Sequence, residues 1–152
     1  EIHARIEPIG TAEGIDFHFD DITVSPNTLD AHRLVRWTSN APKGVQNRLV
    51  KRLFQLYFEE GRNIGDHAVL IEAARAAGMD VAVVEALLPT DADRDTVLAE
   101  AATASKMGVT GVPCFLLEGR YAVMGAQDTA TLADAIRQVA AAKARGELEA
   151  AG

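Results

Sequence analysis

The chain predicts an α/β fold in which a long helical block is closed by a β-β-α unit. Three observations carry that reading. Apolar residues through the middle recur at helical spacing between residues suited to capping. The stretch "GVTGVPCFLLEGRYAVMGAQ", Gly108 to Gln127, holds two short apolar runs around Glu118-Gly119, a hairpin signal. Asp128 then opens a last helical stretch. At 152 residues, with 48% hydrophobic and 24% charged content, the chain has the balance of a soluble globular domain with a real core.

In chain order, residues 1–24 read as the end of a helix followed by a short extended segment, with "GIDFHF" alternating as a brief strand. Residues 25–107 form the helical block. Asn27-Thr28 cap "LDAHRLVRWTS", which stops before Pro42. Pro42 suits the first turn of "KGVQNRLVKRLFQLYFEE", where Val45, Leu49, Leu53 and Tyr57 recur every four residues and Gly61 ends the helix. Asp66 caps a helix through Ala77, closed by Gly78. "DVAVVEALL" adds a short helix. Thr90 or Asp91 begins another, with acids at its start, Lys106 near its end and Gly108 as the stop, an order that complements the helix dipole. Residues 108–146 are the β-β-α unit, and 147–152 a fraying tail.

The two strand runs, "CFLL" from Cys114 and "YAVM" from Tyr121, are apolar at consecutive positions, the pattern of strands buried on both faces. A lone hairpin is marginal in water. These strands therefore require partners, supplied either by a second copy in a homodimer or by a longer protein of which this is a part.

A net charge of −7 argues against a nucleic-acid surface, and no apolar run approaches the roughly 20 residues that cross a bilayer. The basic residues of "RLVKRLF" read as the wet side of an amphipathic helix. His3, His18, His32 and His67 show no metal-ligand spacing with the lone Cys114, so no metal is expected. No phosphate loop, dinucleotide fingerprint or serine elbow appears, and no cofactor is expected. One cysteine suits a reducing compartment, and the expectation is a cytoplasmic protein. Cys114 itself, the first residue of an apolar strand without a cation or second cysteine near it in sequence, reads as buried and inert.

Four segments in this order, "PNTLDAHRL" (Pro26 to Leu34), "YFEEGRNIGD" (Tyr57 to Asp66), "GVTGVPCF" (Gly108 to Phe115) and "GRYAVMGAQ" (Gly119 to Gln127), resemble the DsbA-like thioredoxin-fold family. The similarity is to its FrnE-like branch, related to 2-hydroxychromene-2-carboxylate isomerases and kappa-class glutathione transferases. The resemblance implies a thioredoxin-like fold with an all-helical insertion, seen here mainly as that insertion and the C-terminal β-β-α unit. The family's opening β-α-β unit, with Cys-x-x-Cys or a serine variant, is not found in these residues, which implies a piece of a longer protein.

The resemblance further implies a cis bond before Pro113, a substrate-binding loop of Thr110, Gly111 and Val112 with Pro113 as its catalytic residue, and Asn27 and His32 on the helical lid facing the same cleft. It implies a thiol–disulfide oxidoreductase or isomerase acting on disulfide-bearing proteins. The alternatives are a glutathione-dependent isomerase or transferase, with glutathione as cosubstrate, and a non-catalytic peptide-binding module.

Overall fold

In a computed structural model, which describes residues 2–147, the chain divides into two compact units, one ending at Glu100 and the other starting at Ala101. The first is entirely helical. Its elements are α1 (Ile2–Ala12), a 3₁₀ turn (Phe19–Asp21), α2 (Leu29–Trp37), α3 (Val45–Phe54) continuing into a π turn (Gln55–Glu59), α4 (His67–Ala77) and α5 (Val81–Leu87). Helix α6 (Arg94–Lys106) runs across the division. The second unit holds β1 (Cys114–Leu117), β2 (Tyr121–Met124) and α7 (Thr129–Ala144).

Local chemistry sets most of these boundaries. Asp66 accepts from the Ala68 N–H at 2.7 Å, Asp80 from Ala82 at 3.1 Å and Asp128 from Thr131 at 2.9 Å, each meeting an amide the helix cannot. Two helices start later than the sequence suggests. Gly44 has φ 91° and Asp93 φ 58°, left-handed backbone that α3 and α6 can only follow. Pro42 thus lies outside α3, its carbonyl accepting from the Val45 N–H.

The core of the first unit is the contact of α2, α3 and α4, with Leu34, Leu49, Leu56 and Leu70 fully buried. Ala73, Ala74 and Ala77 on α4 have no exposed surface and let α3 approach closely. The buried stripe of α3 is Val45, Leu49, Leu53 and Leu56; Tyr57, expected in it, is only half-buried. Each four-residue step overshoots a full turn by about 40°, so three steps drift off the face while the eleventh residue returns to it.

"GIDFHF" is not a strand. It has no ladder partner among the described residues. Phe17 and Phe19 nonetheless stack on one another at 4.8 Å, and the His18 N–H donates to the Phe58 carbonyl at 2.8 Å. The period of two is real, but packing against the π turn produces it.

β1 and β2 pair antiparallel, Cys114 opposite Met124 and Leu117 opposite Tyr121. The turn between them is built on Glu118 at φ 50° and Gly119 at φ 67°, the positive values that primed hairpin turns need. α7 packs on the face carrying Leu117, Tyr121 and Val123. The expectation of strands buried on both faces is not met: Leu116, on the face away from α7, is 52% exposed, because a two-stranded sheet with one helix covers only one side. Of the tail expected at 147–152, all but Glu147 lies outside the described residues.

Candidate functional site

The loop before β1 is the most exposed apolar element of the second unit. Thr110, Gly111 and Pro113 are exposed, and Val112 is 87% exposed. The Val112–Pro113 peptide is cis. The Pro113 carbonyl accepts from the Gly125 N–H at 2.8 Å, extending the ladder one step beyond Cys114. Alternation along an antiparallel pair then assigns Phe115 and Leu117 of β1 to β2 and turns the main-chain groups of Cys114 and Leu116 to the open edge. Proline's missing donor thus falls at the end of the ladder, where it costs least.

Cys114 is half-buried, which corrects the expectation of a buried thiol. Strand alternation puts it on the side of Leu116 and Met124, away from α7, so nothing in its own unit seals it.

Asn27 and His32 belong to the first unit, at the start of α2. The Asn27 side-chain oxygen accepts from the Leu29 N–H at 3.0 Å, an Asx turn that opens the helix. His32 Nδ1 lies 2.8 Å from the Thr28 carbonyl oxygen, which can only accept, so Nδ1–H is the donor. His32 also lines a cavity of about 500 Å³, to which Ser25, Thr28 and Tyr57 bring hydroxyl groups. A second cavity, about 870 Å³, is walled by Phe17 and Phe19; both cavities are lined by Val35, Val50, Phe54 and Phe58. Phe54 is 59% exposed. The loop residues Thr110 to Pro113 and the pair Asn27 and His32 are thus described in separate units.

Behind α2 lies a group that sequence reading passed over. Arg33 is 1% exposed and spends all five guanidinium protons. It donates to the carbonyls of Leu87, Leu88, Thr90 and Ala92 and to Asp30 Oδ1, the last at 2.8 Å. The other Asp30 oxygen meets His67 Nε2 at 3.0 Å. Partial burial pushes the Asp30 carboxyl up, but Arg33 and His67 more than offset this and hold it below the ordinary aspartate value. The one available signal was Asp30 three residues before Arg33 on a helix face. Among the described residues no cluster of three or more His, Cys, Asp or Glu could hold a metal ion, and no helix is long and apolar enough to cross a membrane.

Comparison with known proteins agrees with this architecture. The chain is 30% identical to a probable DsbA oxidoreductase from Streptomyces coelicolor of known crystal structure, with a TM-score of 0.77 over 90% of this chain and 58% of that one. It is 27% identical over 113 residues to the uncharacterized protein YwbO of Bacillus subtilis, covering 74% of this chain and 56% of YwbO. The chain therefore spans less than three fifths of the length of either relative. The family model of the DSBA-like thioredoxin domain matches residues 1–137. That match covers most of the chain, so the chain belongs to the DSBA-like thioredoxin domain family.

Proposed function

We propose that this chain is the substrate-binding part of a thiol–disulfide oxidoreductase or isomerase. An extended, disulfide-bearing polypeptide pairs with the open edge at Val112, and the redox cysteine pair lies outside these 152 residues. The observation that carries the reading is the exposure of Val112 just before the unpaired edge of β1, in a chain similar to a probable DsbA oxidoreductase. Strand addition uses main-chain donors and acceptors for affinity and leaves sequence tolerance to the side chains, which suits a catalyst of many substrates. In the reaction, a thiolate of the pair attacks the substrate disulfide and expels one substrate sulfur as thiolate. The second cysteine then attacks the mixed disulfide, releasing reduced substrate and leaving the catalyst oxidised. Cys114 alone cannot complete that cycle.

The test is an amide NMR titration of the chain with an extended peptide and, separately, with glutathione. Peptide-induced shifts confined to Thr110–Leu116 are expected. Shifts elsewhere, or none at millimolar peptide, overturn the reading. A response of these amides to glutathione alone replaces it with the glutathione-dependent isomerase or transferase. Dithiothreitol-driven insulin reduction by this chain, abolished in Cys114→Ala, refutes the assignment of the redox pair to other residues.

A further inference from the structure

The segment between α1 and α2 builds one wall of the larger cavity and carries a histidine held between two carboxylates. His18 Nε2 lies 3.2 Å from Asp16 Oδ2, and Nδ1 lies 3.4 Å from Asp21 Oδ2. The residues on either side of it, Phe17 and Phe19, line the cavity. We propose that His18 is a pH-sensitive latch on this wall. Its protonated ring, bridging Asp16 and Asp21, holds the 16–21 turn in the shape that stacks Phe17 on Phe19, and loss of the proton frees the wall.

The geometry gives the charge a specific task. Both contacts are ion pairs, and neutral imidazole offers neither carboxylate a charge; only imidazolium attracts both. Without it, Asp16 and Asp21 stand as like charges across a short turn that also carries Asp20. The ring is raised above the ordinary histidine value, first by its hydrogen bond to Asp16, then by the charges of Asp16 and Asp21 acting against desolvation. The stability it lends is therefore complete below the ordinary histidine range and is lost as pH rises through the raised value.

The neighbouring elements supply other groups that must be separated from it. From α1, His3 stacks on Phe19 at 4.2 Å and is itself titratable. From the π turn, the Phe58 carbonyl accepts the His18 N–H, and Glu59 lines the cavity with Lys51 of α3. Glu60 is paired with Arg52. Asp21 abuts Gly61, where an added Cβ would come within 2.6 Å of the Asp21 carbonyl oxygen. Asp16 and Asp21 are the carboxylates within ion-pair reach of His18 among the described residues.

The experiment is an NMR titration of the chain from about pH 5 to about pH 9, across the histidine range, in the parent and in His18→Gln, His3→Gln and Asp16→Asn. In the parent, the Phe17 and Phe19 ring resonances are expected to move with the His18 midpoint. Amide exchange over 17–22, corrected for its intrinsic pH dependence, should quicken by about 1.5- to 5-fold, the scale of an exposed ion pair. His18→Gln should abolish both responses, His3→Gln should preserve them, and Asp16→Asn should lower the midpoint. Ring shifts that persist in His18→Gln and vanish in His3→Gln overturn the proposal in favour of His3. Phe17 and Phe19 resonances that stay still while His18 titrates overturn it outright.

Discussion

Arg33→Met tests whether one buried guanidinium fastens the α5–α6 connection to α2. The substitution keeps a long flexible side chain but removes five hydrogen bonds, four of them to main-chain carbonyls between Leu87 and Ala92 and one to Asp30. It also removes the guanidinium 5.0 Å above the Trp37 ring. Methionine fills the volume and restores some apolar contact, but it leaves Asp30 with His67 and takes a donor from each of the four carbonyls, of which Leu87 still accepts from Thr90. Breaking a buried, hydrogen-bonded charge pair from one side costs about 3–5 kcal/mol, a large part of the roughly 5–15 kcal/mol that holds a domain. Urea unfolding should be followed by the fluorescence of Trp37, the only tryptophan, which sits in the affected unit. The midpoint should fall by about 1 M or more. Arg33→Lys keeps the charge without the planar fork and should fall between the two. Arg33→Met within about 1 kcal/mol of the parent, a difference ordinary surface substitutions reach, refutes the clasp.

Substitutions at two further positions probe the same connection. Asp93 holds a left-handed φ of 58° and accepts from Trp37 Nε1 at 2.9 Å and from Arg36. Asp93→Ala and Asp93→Gly both lose those bonds, but only alanine meets the left-handed strain, so alanine should be less stable by about 1 kcal/mol in the same assay; equal stabilities refute the strain argument. Asp30, with its carboxyl held low, contributes stability that is present above the ordinary aspartate value and lost as pH falls through its lowered one. Stability measured below about pH 4 should therefore drop less steeply in Asp30→Asn than in the parent, and parallel acid limbs refute the assignment.

What the sequence disclosed was the part of the fold written in short-range chemistry. Asp66, Asp80 and Asp128 announce their helices because a carboxylate two or three residues from a free amide is a local event. The strands at Cys114–Leu117 and Tyr121–Met124 are marked by their apolar runs and by the turn between them. Long-range features left no such trace. The carbonyls that Arg33 holds are more than 50 residues away, and no spacing rule connects them. Phe17 and Phe19 alternate like a strand because both pack near Phe58, not because a ladder exists. The burial expected of Cys114 failed for a related reason: an apolar run reports what a strand requires, whereas exposure depends on which neighbours are present. For the candidate site, the Thr110–Pro113 loop and His32 were assigned through family resemblance, while the cavity beside His32 follows from packing among α2, α3 and the π turn.

The open margin of β1 also governs how this chain behaves as a material. Amide and carbonyl groups at Cys114 and Leu116 stand about 6.8 Å apart along it, beside the uncovered Leu116 side chain. The charges that would repel a second strand, Glu118 and Arg120, sit only at the hairpin tip. Such a margin is a template for edge-to-edge growth, and among the described residues no strand pairs with it. Self-association should therefore climb with protein concentration and with salt that screens the −7 net charge. A lysine in place of Leu116 would be the first change to make when preparing concentrated solutions.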